Sequence, residues 1–240
     1  MGNLEDKRSV ITGGSSGIGF AAANMGAEQG AEVIIAARSE EKLRKAKQAI
    51  GYDIQTKVLD VTNEDQVQSF FSEIDNFDHL ITPAAGAVMG PFLEQDSQHV
   101  RTFIESKLFG QYFTVKHAAP KLNKTGSITL FSGIVSRKPF AGGSSFAMVA
   151  GGIESLTRCL ALELAPIRVN CITPGIIATE VWDSLMPQDM QAQTFNHFAE
   201  QLPVGRVGNV EDVAHTISYL LTNTFITGSI VDVDGGHRVI

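Results

Sequence analysis

Short apolar runs alternate with helical stretches from one end to the other of this chain of 240 residues. Continuous apolar runs such as residues 33–37 are typical of strands buried on both faces of a parallel sheet. Because parallel neighbours need a long crossover connection, usually a helix, the alternation predicts repeated strand–helix–strand units. We therefore predict an α/β fold with a doubly wound parallel sheet of about seven strands and helices on both faces.

Helix caps and turn residues place the individual elements. The predicted strands are residues 10–12, 33–37, 54–59, 79–82, 127–131, 167–172 and 229–233, and the predicted helices are residues 17–29, 40–50, 62–75, 98–122, 145–165 and 212–221. Thr62 followed by Asp65 indicates a capping box at the start of the third helix. No linker or repeat divides the sequence, so residues 1–240 are expected to form a single domain.

The composition of residues 180–203 differs from that of the rest of the chain. They mix aromatic and methionine side chains with polar ones and contain two prolines, Pro187 and Pro203. We interpret this segment as a partly helical lid over a site. An ordinary helix packed by its apolar side is the alternative.

The charge balance limits the partners of the chain. Lys and Arg number 19 against 26 Asp and Glu, the net charge is -7, and no basic run exceeds two residues. Nucleic acid is therefore not expected as a partner.

No apolar stretch approaches the roughly 18 residues of a membrane span and no address signal is seen, so we expect a cytoplasmic protein that is not bound to a membrane. Cys159, Cys171 and the scattered histidines predict neither a disulfide nor a metal site.

A glycine-rich turn follows the first predicted strand and opens the first helix. Its sequence is Thr12-Gly13-Gly14-Ser15-Ser16-Gly17-Ile18-Gly19. Gly13 permits a tight turn, Gly17 lets the backbone approach a pyrophosphate at the helix start, and Gly19 lets the helix pack closely on the sheet. The pattern predicts a dinucleotide site formed by Gly13, Ser15, Ser16, Gly17, Ile18 and Gly19.

The G-x-x-x-G-x-G spacing of this turn resembles the short-chain dehydrogenase/reductase superfamily, whose members are single-domain Rossmann-type proteins. The likeness continues in order: Leu59-Asp60-Val61-Thr62 is similar to the family's adenine-binding turn, and residues 173–179 to its nicotinamide-side loop. Val233-Asp234-Gly235-Gly236 is similar to its carboxyl-terminal signature. The resemblance implies an NAD(P)-dependent oxidoreductase that acts on carbonyl or CH–OH groups, assembled as a homodimer or homotetramer through two long helices. It also implies cofactor contacts from Asp60, Val61, Ala84, Ala85, Gly86, Pro174, Gly175, Ile177 and Thr179.

The end of the second predicted strand indicates which cofactor is used. An acidic residue there would bind the ribose 2′-OH of NAD, but this chain has Ala37 followed by Arg38 and Ser39. A guanidinium and a hydroxyl suit a 2′-phosphate, so NADP(H) is favoured. NAD(H) is the alternative, in which Arg38 only begins a solvated helix.

The resemblance fails at the family's four catalytic positions, which carry Asn, Ser, Tyr and Lys. The corresponding residues here are Lys107, Gly133, Phe146 and Ala150. Lys107 is a candidate to hold the nicotinamide ribose or to polarise a substrate oxygen; a lysine at a helix surface or subunit contact is the alternative. Nearby hydroxyls are further candidates, with loop capping as their alternative role: Ser132, Ser144 and Ser145.

Another pair matches the family's Y-x-x-x-K spacing by chance. Tyr112 and Lys116 lie in the predicted helix 98–122, before Pro120, and we expect them to serve packing and solvation. Catalysis by this pair is not expected.

Two hypotheses of function follow. The first is an NADPH-dependent reductase of electron-poor carbonyl compounds such as quinones or vicinal diketones, with Phe140, Phe146 and Met148 forming an apolar wall for a flat ligand. The second is a weak or inactive dinucleotide-binding protein that serves as a redox sensor or assembly partner, because all four catalytic residues are replaced. A structural subunit that no longer binds cofactor is a third reading, which the intact glycine turn disfavours.

Overall fold

Seven parallel strands form one sheet in the computed structural model, which describes residues 4–83, 86 and 88–240. The strands are β1 Arg8–Thr12, β2 Glu32–Ala37, β3 Gln55–Val58, β4 Phe77–Ile81, β5 Leu122–Phe131, β6 Arg168–Pro174 and β7 Ile230–Val233, in the order β3-β2-β1-β4-β5-β6-β7. The strand order reverses between β1 and β4, which both pair in parallel with their neighbours. Ligands of such sheets bind beyond the carboxyl ends of the strands at this reversal. The predicted α/β Rossmann fold is confirmed.

Helices cover both faces of the sheet. They are α1 Gly17–Glu28, α2 Glu40–Ile50, α3 Glu64–Ser72, α4 Ser97–Ile104, α5 Gly110–Ala118, α6 Ser144–Glu163, α7 Gln188–Gln201 and α8 Val210–Thr222. One core, between the sheet and helices α1, α2 and α8, includes Ile11 and Ile35. The other core, under α3 to α6, includes Val10 and Ile34. Neighbouring residues of one strand therefore enter opposite cores, as the two-residue period of a strand requires.

Local capping accounts for most helix boundaries. Ser39 Oγ accepts the Lys42 N–H at the start of α2, and Gly51 ends that helix in the left-handed region at φ 71°. The predicted capping box of the third helix is wrong. Asn63 caps α3 by accepting the Gln66 N–H, because the Thr62 hydroxyl instead donates to Asp60 in the preceding turn.

The long helix predicted at residues 98–122 is not continuous. A π-helical turn, Glu105–Phe109, separates α4 from α5, and the Gly110 N–H donates to the Glu105 carbonyl. Gly110 packs closely on the adenine-side turn, since a Cβ placed on it would lie 2.8 Å from Val61 Cγ2. Such π turns are frequent at functional sites, and this one contains Lys107.

The segment predicted as a lid forms two elements, a 3-10 turn Glu180–Ser184 and then α7. Trp182 anchors the first: its Nε1 donates to the Ile177 carbonyl at 2.9 Å, and its ring lies 5.3 Å from that of Phe195. Helix α7 buries none of its residues and lies on the surface. Closure of residues 180–203 over the site stays a prediction.

Helix α6 is long and apolar enough, by length and composition alone, to cross a membrane, with a mean hydropathy of 1.2. It lies against β5 and β6 and contributes Val149 and Ile153 to the core. Packing on the sheet thus buries one side of α6, whereas Met148 and Leu162 of this helix are exposed. No other helix in the described part of the chain meets that criterion.

Candidate active site

The glycine turn at the start of α1 forms a cradle for an anion. Gly17 has φ +52°, and a Cβ on Gly19 would lie 2.2 Å from the Gly13 carbonyl oxygen, so glycine is required at both positions. Ser16 makes no side-chain cap bond with the described residues, and the first turn of α1 carries no acidic side chain. The N–H groups at the helix start are thereby left for a ligand, which fits the pyrophosphate of a dinucleotide. Ser15 and Ile18 lie in the same turn.

A carboxylate that the sequence reasoning missed lies against this cradle. Glu180 Oε2 would be 3.4 Å from a Cβ placed on Gly17, and Thr179 contacts the same point. Glu180 directly follows the predicted nicotinamide-side loop, which is the signal that could have identified it. A bound pyrophosphate would meet a like charge at this point.

The residues after β2 present a cation to the adenosine side. Arg38 is exposed and forms no ion pair with the described residues. Ser39 is occupied as the cap of α2, although a hydroxyl that accepts one hydrogen bond can still donate another. Asp60 shapes the adenine-side turn, since its Oδ1 accepts from the Thr62 N–H at 3.0 Å and hydroxyl at 2.8 Å.

The remaining predicted cofactor contacts lie at the ends of β4 and β6. Ala84 and Ala85 fall outside the described residues, whereas Gly86 lines the cleft described below. A Cβ on Gly175 would lie 2.7 Å from Asp234 Cα, so the loop after Pro174 packs directly on the carboxyl-terminal signature. Ile177 is buried and holds Trp182.

The four positions that the family resemblance assigns to catalysis come together in space. Lys107 Nζ lies 5.7 Å from the centroid of the Phe146 ring. A Cβ on Gly133 would lie 2.8 Å from Phe146 Cζ, closer than real Cβ atoms approach. A serine at 133 would therefore require the Phe146 ring to shift. Ala150 is fully buried beneath the same helix face.

Lys107 is buried, with 3% of its surface exposed. The alternative interpretation as a surface lysine is wrong. Its Nζ has no hydrogen bond or ion pair with the described residues, and its titratable neighbour among them is Cys171 of β6. Desolvation lowers the pKa of Lys107 to about 8, and the nearby Cys171 acts in the opposite direction. Burial raises the pKa of Cys171 to about 12, so this thiol stays neutral.

Gln111 holds the π turn in place and was not identified from the sequence. Its Nε2 donates to the Lys107 carbonyl at 2.9 Å and to the Phe131 carbonyl at 3.0 Å. Its Oε1 accepts from the Phe131 N–H and the Thr82 hydroxyl. A buried amide four residues after Lys107 thus ties that turn to β5 and to the residue after β4.

The hydroxyl candidates have structural partners. Ser132 Oγ donates to the Ala150 carbonyl and to Glu154 Oε1, both at 3.1 Å. Ser145 donates to Gln95, which bridges the loops at Gly90 and Gly142. Ser144 is exposed. These contacts agree with the alternative of capping and packing; a catalytic role for Ser132 stays a prediction.

The Y-x-x-x-K pair of α5 lies on the surface, as expected. Tyr112 is 44% exposed, and Lys116 Nζ forms an ion pair with Glu64 Oε1 at 2.7 Å. This lysine therefore serves as a solvated partner of α3.

A cleft of about 570 Å³ opens beside the catalytic positions. It is lined by Gly86, Val88, Met89, His99, Thr102, Phe103, Ser106, Trp182, Leu185 and Met186. The Phe103 ring of this cleft meets Phe146 edge-on at 5.7 Å, whereas Phe146 and Lys107 do not themselves line the cleft. Phe140 and Met148 are about half exposed and do not line this cleft, so the predicted apolar wall consists of other residues. Among the described residues, no group of His, Cys, Asp and Glu is arranged to hold a metal ion.

Known proteins resemble this chain over nearly its whole length. A family model described as enoyl-(acyl carrier protein) reductase matches residues 13–238. A 3-oxoacyl-[acyl-carrier-protein] reductase of Mus musculus is 33% identical, with 98% of this chain and 99% of the relative covered.

Two solved structures with the same fold contain NADPH. A small-chain dehydrogenase in complex with NADPH is 32% identical, with a TM-score of 0.86 and coverage of 98% and 99%. An NADPH-bound short chain oxidoreductase of Pseudomonas aeruginosa PAO1, described as containing an atypical catalytic center, is 28% identical, with a TM-score of 0.90 and coverage of 98% and 97%. The chain belongs to the short-chain dehydrogenase/reductase family of NAD(P)-dependent oxidoreductases, which act on carbonyl and CH–OH groups.

Proposed function

We propose that this chain reduces electron-poor carbonyl compounds, such as quinones and vicinal diketones, with NADPH, and that Lys107 supplies the positive charge beside the reacting oxygen. The proposal rests on the burial of Lys107 against Phe146, at the position where the family has a tyrosine. An ammonium group in a site that excludes water stabilises a developing oxyanion strongly, because little solvent screens it.

Each part of the site has a task in this proposal. The glycine turn binds the pyrophosphate, and the loop from Pro174 to Thr179 positions the nicotinamide side. The bound cofactor supplies a hydride. Lys107 holds a positive charge at Nζ and can pass a proton from Nζ to the substrate oxygen. Gln111 keeps the Lys107 turn in position through its bond to the Lys107 carbonyl.

Electron-poor carbonyl compounds suit a site without a tyrosine acid. Losing a positioned general acid costs about 10² to 10⁴ in rate with ordinary ketones. Quinones and vicinal diketones accept hydride readily and give oxyanions that are less basic than simple alkoxides, so a weaker proton donor suffices. The apolar cleft with Phe103 and Trp182 favours a flat ligand.

NADP(H) is the cofactor in this proposal. Arg38 offers an exposed guanidinium after β2 with no competing ion pair from the described residues, and a similar dehydrogenase binds NADPH. NAD(H) binding with equal affinity would contradict this assignment.

Steady-state oxidation of NADPH tests the proposal. The panel is an aromatic quinone, a vicinal diketone, a 3-oxoacyl thioester as the substrate class of the named relatives, and a simple ketone. We expect kcat/KM for the quinone to exceed that for the ketone by about 10² or more. Lys107→Met is expected to lower quinone reduction by about 10². Equal or zero rates over the whole panel, or an active Lys107→Met variant, would contradict the proposal.

A second candidate function is that of an NADPH-binding protein without turnover that serves as a redox sensor or assembly partner. The observation that favours it is Phe146. Its ring has no proton to donate, and the hydroxyl of Ser132 is bonded to α6. Calorimetric binding of NADPH with no turnover over the panel would support this function. Turnover that disappears in Lys107→Met would exclude it.

We also propose that the chain is cytoplasmic and that its copies associate as a homodimer or homotetramer through α5 and α6. Exposed apolar side chains on these helices support the proposal: Tyr112 on α5, and Met148 and Leu162 on α6. Leu162→Glu should lower the mass measured by light scattering, and an unchanged mass would place the interface elsewhere.

A further inference from the structure

Carbonyl reduction needs a proton as well as a hydride, whereas reduction of an iminium ion needs only the hydride. In an iminium ion the hydride adds to carbon, the π electron pair of the C=N⁺ bond moves to nitrogen, and the product is a neutral amine. A site that has lost its proton donor is therefore better matched to a substrate that brings its own positive charge.

The wall next to the cleft lacks an acidic hydroxyl among the described residues that form it. Phe146 presents a hydrocarbon ring, Gly133 has no side chain, and the ring edge of Phe103 completes the contact. Ser132, which precedes Gly133, donates to Ala150 and Glu154 instead. The hydroxyls that line the cleft, Thr102 and Ser106, donate to the carbonyls of Gln98 and Phe103. Of the described groups in this wall, Lys107 is thus the remaining proton donor, whereas His99 belongs to the lining of the cleft.

The cleft itself suits a flat cation. Two aromatic rings, Phe103 and Trp182, and two thioethers, Met89 and Met186, line it. None of the described lining residues is Lys or Arg, and His99 is the basic side chain among them. Cations are attracted to the faces of aromatic rings, most strongly to tryptophan.

The charges on the flanking segments also favour a cation. Carboxylates outnumber the exposed basic side chains, His99 and Arg101, on the 3-10 turn Phe92–Glu94, on α4 with its cap and its π turn, and on the turn at Glu180–Ser184. The carboxylates are those of Glu94, Asp96, Glu105, Glu180 and Asp183. An excess of one sign of charge around a low-dielectric cleft raises the local concentration of oppositely charged ligands.

The geometry points to a further activity of this cleft, the NADPH-dependent reduction of flat iminium cations to amines. Hydride from the reduced nicotinamide forms the new C–H bond, the C=N π pair becomes the nitrogen lone pair, and the cofactor is released oxidised. Charge and electrons balance without a proton from the protein. The inference rests on the proposed function, because it uses the same NADPH site, but Lys107 has the opposite effect: its positive charge repels an iminium ion.

Ligand binding without cofactor tests the cleft directly. Trp182 is the single tryptophan of the chain, so its fluorescence reports on this cleft. We expect N-methylisoquinolinium to bind about tenfold more tightly than isoquinoline at a pH where isoquinoline is neutral, and added salt to reduce the difference. Equal binding of the two ligands, or tighter binding of the neutral one, would overturn the inference.

Kinetics then separate this inference from the proposed function. N-methyl-3,4-dihydroisoquinolinium is compared with 1-tetralone, a ketone of similar shape, after subtraction of the uncatalysed rate. Below the pKa of Lys107, Lys107→Met should raise iminium reduction by about tenfold while lowering reduction of the quinone. Lys116→Met, on the surface of α5, is the matched control and should change neither rate.

The outcomes are distinguishable. Iminium turnover without carbonyl turnover supports this inference and contradicts the proposed function. Quinone turnover without iminium turnover overturns this inference alone. Equal losses of both activities in Lys107→Met also overturn it, because the lysine would then serve both reactions in the same way.

Discussion

The cofactor side and the substrate side of the site differ in how much of the family's residue pattern they keep. The cofactor side keeps a glycine cradle whose backbone has no room for larger side chains, as the 2.2 Å approach at Gly19 shows. The substrate side has a different set of residues, in which Phe146 occupies the space that a side chain at position 133 would need. A dinucleotide site depends mainly on backbone geometry, whereas proton transfer depends on individual side chains. We therefore propose that the chain retains the site for the hydride carrier and supplies the proton through a different arrangement of residues.

Gly19→Ala should give the largest effect, because its Cβ would lie 2.2 Å from the Gly13 carbonyl oxygen and would displace the turn. We expect NADPH binding, measured by calorimetry, to weaken by about 10² or more. Gly151→Ala is the matched control, since nothing lies within 4 Å of a Cβ there. It should leave NADPH binding unchanged and raise the free energy of unfolding by up to about 1 kcal/mol. Equal NADPH affinity of Gly19→Ala and the wild type would show that the cradle is not the nucleotide site.

Phe146→Tyr should place a proton donor on the substrate side of the site. We expect kcat for a simple ketone to rise by about tenfold or more, since a positioned general acid contributes about 10² to 10⁴. The variant should leave the Kd of NADPH unchanged. A fall in ketone reduction with normal folding would mean that the ring at 146 does not face the reacting oxygen.

Arg38→Ala addresses the choice of cofactor. Removal of the guanidinium should weaken NADPH binding by about tenfold and leave NADH binding nearly unchanged. Arg44→Ala, an exposed arginine on α2, is the control and should affect neither cofactor. The same loss for both cofactors would remove Arg38 from the 2′-phosphate site.

Glu180→Gln should give the smallest effect. The change removes a negative charge that lies against Gly17, where the pyrophosphate is expected. NADPH binding should tighten by about threefold, and the gain should shrink as salt is added. A weaker complex would instead indicate that Glu180 assists closure of the loop.

Local signals predicted most of the fold. The helix expected at residues 40–50 has those same bounds, because its cap, Ser39, and its terminating glycine, Gly51, are short-range features. The predicted capping residue of α3 was wrong by one position, because the Thr62 hydroxyl donates to Asp60 and does not cap the helix.

The features that the sequence could not predict depend on packing between residues that are far apart in the chain. The π turn around Lys107 depends on Gln111, whose partners lie on β5 and after β4. Whether Lys107 was buried or exposed could not be read from a helix with aromatic and charged residues on several sides. The carboxylate of Glu180 lies near Gly17 although the two residues are far apart in the sequence. The one sequence signal for this approach is that Glu180 directly follows the nicotinamide-side loop.

The pH dependence of quinone reduction tests the central claim most directly, namely that Lys107 supplies the missing positive charge. Burial lowers the pKa of Lys107 to about 8, so the ammonium form predominates below that pH and the neutral amine above it. We predict that kcat/KM falls as pH rises through about 8 and that Lys107→Met, already slow, shows no such step. A wild-type profile that is flat across this range, or the same step in Lys107→Met, would contradict the account.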